Sequence, residues 1–202
     1  MADMTIYADN AATTKTSKKA IEAMLPYFDK IYGNPSSLHT VGQEAKEALT
    51  QARERIAKCL GAETNEIYFT SGGSEADNQA IVSAAVNGAK KDKKHIISTK
   101  FEHHAVLHTL KKLQKQGYEV TYLKVDEKGY INLKELEEAI RPDTILVSII
   151  FVNNEVGTIQ DMEAIGKLIK EKNPETLFHT DAVQAFGKVK IDVKKMPSAE
   201  PN

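Results

Sequence analysis

The spacing of apolar residues along the chain predicts helices that alternate with strands. The predicted helices are Ser17 to Phe28, Val41 to Leu60 closed by Gly61, about Ser74 to Asn87, His104 to Gln116 ended by Gly117, Lys134 to Ile140, and Met162 to Lys172. The predicted strands are Ile67 to Phe69, His95 to Thr99, Glu119 to Val125, Ile145 to Val152, and Thr176 to Thr180. No repeat interrupts this alternation, so we predict an α/β sandwich.

Composition narrows the classes of function. The 202 residues carry 27 basic and 28 acidic side chains, so the balance indicates no basic face for nucleic acid. No stretch approaches eighteen uninterrupted apolar residues, and we predict neither a membrane span nor a secretion signal. The single cysteine, Cys59, excludes an internal disulfide and fits a reducing compartment. We expect a cytoplasmic protein in which Cys59 is a small core residue.

The first candidate site lies where the strand ending at Phe69 meets the helix near Ser74. Its sequence, Thr-Ser-Gly-Gly-Ser-Glu at 70–75, combines glycines, hydroxyls and a helix N-terminus, which together favour an anion such as phosphate. An ordinary serine cap with a glycine turn explains the same residues. Neither a P-loop nor a dinucleotide fingerprint is present.

Two further junctions follow predicted strands. His103 could stack a flat imidazole on an aromatic cofactor. His104 and His108 have the spacing of a metal pair, but no third ligand is evident, and we predict a surface pair and no metal site. Asn154 could bind a ring substituent through its amide, although asparagines are also common in turns.

The fourth junction pairs Asp181 with Gln184 after the last strand. A buried carboxylate beside a glutamine suits a protonated ring nitrogen and a neighbouring ring oxygen, whereas an aspartate here can also cap a turn. The four junctions jointly offer a phosphate cradle, a stacking ring, an amide and a carboxylate. That set would surround pyridoxal 5'-phosphate (PLP).

Six sequence blocks carry a family resemblance. They are TIYADNAATT, YGNPSSLH, FTSGGSEADN, EHHAVL, VNNEVGTIQD and HTDAVQAFGKVKIDV. In this order, from Thr5 to about Val193, the chain resembles cysteine desulfurases of the NifS and IscS type. The resemblance implies a three-layer α/β sandwich with a mainly parallel sheet, the large domain of PLP-dependent transferases. It also implies a segment at 1–16, an incomplete PLP-binding large domain at 17–193, and no C-terminal small domain. Residues 194–202 depart from the family, which usually continues into a strand here; because they are polar and proline-rich, we predict a frayed tail.

The resemblance also implies roles for individual residues. Gly73 and Ser74 would bind the cofactor phosphate, with Ser74 in place of a threonine common in relatives. His103 would stack on the ring and act as the catalytic acid or base. Asn154 and Gln184 would hydrogen-bond around the ring oxygen, while Asp181 would pair with the ring nitrogen.

The implied activity is removal of sulfur from L-cysteine, which leaves alanine and a persulfide, in a homodimer that passes sulfur to an acceptor or scaffold protein. Family members carry the Schiff-base lysine, the persulfide cysteine and a substrate-binding arginine beyond the point where this sequence ends. We therefore expect the chain to be inactive alone. Two alternatives remain: a non-catalytic remnant that binds partners, and another enzyme of this PLP class such as a selenocysteine lyase. The pathway stays open between iron–sulfur cluster assembly, tRNA thiolation and others.

Overall fold

The computed structural model describes residues 6–196, and these divide between two compact units, Met1–Ile67 and Tyr68–Asn202. The limits predicted from the sequence, 1–16, 17–193 and 194–202, differ from this division and stay predictions. The predicted frayed tail lies outside the described residues from residue 197 onward. Within the described part of the chain, no helix is both long and apolar enough to cross a membrane.

The first unit is helical. Its elements are α1 (Lys18–Met24), α2 (Pro26–Asp29), α3 (Thr40–Leu60) and one 3-10 turn (Thr64–Glu66). The single helix predicted from Ser17 to Phe28 is wrong, because Pro26 has no N–H to continue the hydrogen bonding of α1 and instead begins α2. The predicted end of α3 is confirmed, since Gly61 closes it in the left-handed conformation with φ +70°.

Cys59 corrects a prediction in this unit. The residue is exposed and not part of a core. Helix α3 buries only small residues, Gly42, Ala45 and Ala57. Cys59 follows Ala57 by two positions, which turns its side chain about 200° around the helix axis and away from that buried stripe.

The second unit contains a parallel sheet between helices. Its helices are α4 (Gly73–Ala89), α5 (His104–Lys115), α6 (Leu133–Ala139) and α7 (Met162–Lys172); its strands are β1 (His95–Thr99), β2 (Glu119–Leu123), β3 (Thr144–Ser148) and β4 (Leu177–His179). The strand order is β2-β1-β3-β4, with every neighbouring pair parallel. Right-handed crossovers in opposite directions place α5 on one face and α6 and α7 on the other. The predicted three-layer α/β architecture is confirmed.

Several predicted strands are shorter or missing. The segment Ile67 to Phe69 pairs with no strand among the described residues, so that prediction is wrong. The strand predicted to run from Ile145 to Val152 stops at Ser148, although residues 149–151 remain buried. The outer strands are trimmed at Leu123 and at His179. Ladder pairing needs a neighbour at matching register, which apolar content alone does not reveal.

The core between the sheet and α4 with α5 joins residues from both helices and from two strands. It consists of Ile81, Ala84, Ala85, Ile96, Val106, Leu110, Leu113, Ile145 and Leu146. Gly88 lets α4 lie directly on β3, because a Cβ at that position would stand 2.4 Å from Ile145 Cγ2. The N-terminus of this helix carries the first candidate site, so the packing of α4 on β3 helps to fix where that site lies.

The Gly88 contact gives a test of the packing. Gly88→Ala should destabilise the chain by about 1–3 kcal/mol through overpacking, even though alanine favours helix by roughly 1 kcal/mol. Combining it with Ile145→Ala removes the clashing side chain, so the double variant should lose less than the sum of the two single losses in urea unfolding. Strictly additive losses would show that α4 does not contact β3 at this point.

Candidate active site

The predicted site residues gather at one edge of the sheet. All four strands run in the same direction, so their carboxyl ends share that edge. His103 follows β1, Asn154 follows β3, and Asp181 and Gln184 follow β4. Gly73 begins α4, which packs against β3 and β4. Ligands of open parallel sheets bind at this edge.

The N-terminus of α4 has the features of an anion cradle. Gly72 occupies the cap position, and no side chain caps the helix there. A Cβ added to Gly73 would stand 2.9 Å from Val183 Cγ2, so glycine keeps the helix start against the loop that follows β4. The N-terminus of α4, where the helix dipole favours a negative charge, therefore lies beside the loop that follows Asp181.

The loop before α4 is held by a local contact. Glu75 accepts hydrogen bonds at Oε2 from the Ser71 hydroxyl and from the Ser71 N–H, each at 2.6 Å. These bonds hold the pKa of Glu75 below its usual value. The loop conformation is thus set by residues of the predicted motif itself.

Asp181 is a buried acid. Among the described residues, no lysine or arginine forms an ion pair with it. It is 7% exposed, and its Oδ1 accepts from the Val183 N–H at 3.0 Å. Burial raises the pKa of Asp181; the Val183 bond opposes that rise, and nearby Asp77 adds to it. A cationic N–H group placed here would favour the ionised carboxylate.

A row of polar side chains, formed by Asp77, His179 and Ser148, lies close to Asp181. His179 Nε2 stands 3.4 Å from Asp77 Oδ1, and its Nδ1 stands 2.9 Å from Ser148 Oγ. A carboxylate only accepts, so Nε2 carries the proton in this pair, and a neutral ring then accepts from Ser148 at Nδ1. None of the sequence motifs predicted this row of polar side chains. Its signal was present as an aspartate on the buried face of α4 and a histidine within an apolar strand.

His103 caps α5, and its Nδ1 accepts from the Ala105 N–H at 3.2 Å. The neutral ring therefore carries its proton on Nε2, and the side chain is exposed. A shallow groove of about 430 Å³ brings His103 together with Ser74. The remaining lining residues are Asn78, His104, Ala105, His108, Thr109 and Lys112.

The two other histidines contact each other. The rings of His104 and His108 meet edge to face with centroids 5.5 Å apart. Across residues 6–196, no three His, Cys, Asp or Glu side chains cluster as metal ligands would. The absence of a metal site stays a prediction.

Asn154 and Gln184 are half-buried at the same edge. Asn153, just before Asn154, is structural: it donates to the Phe101 carbonyl and accepts from the N–H groups that follow it. Gln184 Oε1 accepts from Lys188 Nζ at 2.7 Å. Gly73 thus lies against the loop that follows Asp181, and Ser74 and His103 line one groove. Asn154 and Gln184 share the edge without a described contact to these four predicted residues.

PLP has two chemical groups that the residues of this site would have to match. That molecule has a phosphate at one end and a protonated ring nitrogen at the other. The uncapped N-terminus of α4 suits the first, and the buried carboxyl of Asp181 suits the second. The neighbouring Thr180 hydroxyl is also buried without a partner among the described residues. The residues present fit the cofactor.

The chain is similar to known sequences over nearly its whole length. The Aminotransferase class-V family model matches residues 6–198. The chain is 54% identical over 191 residues to cysteine desulfurase IscS of Clostridium botulinum, which covers 95% of this chain and 47% of the relative. It is 56% identical over 192 residues to IscS of Methanosarcina thermophila, covering 95% and 46%. The chain spans about half the length of the curated relatives it matches.

Solved structures give the same result. A NifS-like protein superposes with a TM-score of 0.92 at 44% identity, covering 96% of this chain and 53% of that one. A structure described as SspA in complex with cysteine superposes with a TM-score of 0.89, also at 44% identity, covering 95% and 55%. Because the family model matches residues 6–198 of its 202 residues, this chain belongs to the class-V aminotransferase family.

Proposed function

We propose that this chain supplies the phosphate, ring-stacking and ring-nitrogen contacts of a PLP-dependent cysteine desulfurase. The observation that carries the proposal is the buried carboxyl of Asp181 beside the uncapped start of α4. Relatives at 54% and 56% identity, both named cysteine desulfurase, support it. The reaction breaks the carbon–sulfur bond of L-cysteine, leaves L-alanine, and forms a sulfur–sulfur bond to an enzyme thiol.

Each residue has a distinct part in this proposal. The N–H groups of Gly73 and Ser74 bind phosphate, and Asp181 keeps a proton in place on the ring nitrogen. When bound, PLP supplies a ring that accepts electron density as bonds at the substrate α-carbon break. His103 offers a flat ring for stacking and an exchangeable proton at Nε2. Asn154 and Gln184 hold the ring oxygen.

Partners belong to the same proposal. We infer that the complete protein is a homodimer that passes sulfur to an acceptor or scaffold protein. In the second unit Tyr68 is 78% exposed and Val183 is 62% exposed, which leaves apolar surface for another chain to cover. The use of a single cysteine in 202 residues supports a cytoplasmic location.

Turnover is the direct test. A protein that contains this chain and the downstream half its relatives carry should release alanine and sulfide from L-cysteine when supplied with PLP. L-selenocysteine in a parallel assay distinguishes a selenocysteine lyase, which would prefer that substrate. A preparation that binds PLP but turns over neither amino acid would contradict the proposed activity.

A further inference from the structure

Glu102 is a buried acid that the proposed chemistry leaves unused. Its side chain is 6% exposed and lies directly before His103. Oε1 accepts from the Thr99 hydroxyl at 2.9 Å and from the Ile150 N–H at 3.0 Å. Oε2 is buried and has no partner among the described residues.

These bonds replace backbone pairing at the end of the sheet. Beyond β3, the N–H groups of Ile149 and Phe151 donate to the carbonyls of His179 and Asp181. The Ile150 N–H points the other way, toward β1, which has already ended at Thr99. The carboxyl of Glu102 supplies the acceptor that the missing strand residue would have provided.

A second bond completes the connection in the opposite direction. Asn153, in the segment after β3, donates through Nδ2 to the carbonyl of Phe101 at 3.0 Å. The loop before His103 and the loop before Asn154 are therefore joined by two hydrogen bonds, and each loop supplies the side chain of one of them. We call this reciprocal pair of bonds, Glu102 with Ile150 and Asn153 with Phe101, the β1–β3 clasp.

We propose that Glu102 is a positioning residue of the candidate site, whose carboxyl holds the β1–β3 clasp and so sets His103 relative to Asn154. The role in cofactor binding depends on the proposed function, whereas the clasp itself does not. Burial is the main reason why this carboxyl favours the neutral form, because an ionised carboxyl would lose its water, and the charges of Asp181 after β4 and Asp77 on α4 add to that cost. Beside Asp181, the groups able to carry positive charge are His179 on β4 and His103.

The protonation of Glu102 has a measurable consequence. Burial, more than the neighbouring acids, raises the pKa of Glu102 from 4.5 to about 7. Between those values the folded chain keeps a proton that the unfolded chain has released. Stability contributed by this group is therefore full below about pH 4.5 and falls as the pH rises toward 7.

Variants of Glu102 separate the clasp from the charge. Glu102→Gln keeps an acceptor for Ile150 but cannot ionise, and Glu102→Ala removes the acceptor. Glu163→Gln, an exposed acid in the first turn of α7, is the matched control. Between pH 5 and 7, the equilibrium constant for unfolding of wild type should rise, relative to that of Glu102→Gln, by up to about tenfold per pH unit. Glu163→Gln should behave as wild type does.

Two readouts test positioning. Hydrogen exchange of the Ile150 amide should be slow in wild type and Glu102→Gln but fast in Glu102→Ala. Pyridoxamine 5'-phosphate, which cannot form a Schiff base, probes the site without a lysine; Glu102→Ala should bind it about tenfold more weakly, with Glu102→Gln close to wild type. Equal Ile150 exchange in all variants, or probe binding by Glu102→Ala as tight as that of wild type, would overturn the proposal. A Glu102→Gln pH profile equal to that of wild type would overturn the protonation of Glu102 in the folded chain. If wild type does not bind the probe, the proposed function fails, and the exchange and pH results still decide the clasp.

Discussion

Replacement of Asp181 by alanine is expected to weaken cofactor binding by several kcal/mol. Asp181 is 7% exposed and would face a protonated ring nitrogen, and loss of one partner from a buried charge pair costs about 3–5 kcal/mol. At about 1.4 kcal/mol per factor of ten, the affinity should fall by more than a hundredfold. Titration with pyridoxamine 5'-phosphate measures this loss, and turnover should fall with it in the protein that includes the downstream half.

Asp181→Asn is the informative control for this prediction. It keeps an oxygen that can accept from the Val183 N–H, so the loop conformation should survive, but it lacks the charge. We expect Asp181→Asn to lose most of the affinity that Asp181→Ala loses. Unchanged affinity in Asp181→Asn would show that the carboxylate is wrongly assigned, and Asp77 would then be the next buried acid to replace.

The pH dependence of binding follows from the same residue. Because burial raises the pKa of Asp181, the free chain takes up a proton at this carboxyl at a higher pH than an exposed aspartate would. A protonated carboxyl no longer pairs with a cation. Affinity for the probe should therefore decrease as the pH falls through that pKa, and the decrease should be absent in Asp181→Asn.

Leu110→Ala is expected to cost about 2–5 kcal/mol of folding stability. Leu110 is fully buried in the core that α5 shares with α4 and the sheet, and truncation of such a side chain loses apolar burial and leaves a cavity. Leu107→Ala on the same helix is the matched control, since Leu107 is only half-buried. We expect the Leu107→Ala loss to be about 1 kcal/mol or less.

Urea unfolding followed by circular dichroism measures both losses. The difference between the two leucines reports whether α5 packs on the sheet as described. Equal small losses would show that this core does not form in the isolated chain. A large loss at Leu110 with probe binding retained would further show that the candidate site tolerates a weakened core.

Local patterns in the sequence predicted the elements that depend on neighbouring residues. Helix α3 begins and ends within one residue of the prediction, because periodic apolar spacing and a left-handed glycine are local signals. The position of site residues at strand ends was likewise predictable, since parallel strands present their carboxyl ends at one edge. Cys59 and the segment Ile67 to Phe69 were mispredicted, because burial and strand pairing depend on which distant elements lie alongside.

The amino-acid sequence alone determined the α/β class and the family. It also indicated Gly73, His103 and Asp181 as candidate cofactor contacts, because each lies within a short motif. Only the tertiary structure revealed the contacts of Glu102 and His179. Glu102 reaches Ile150 across 48 residues of chain, and His179 meets an aspartate of α4. Folding brings these groups together where water is excluded, and burial there changes the pKa of an otherwise ordinary glutamate.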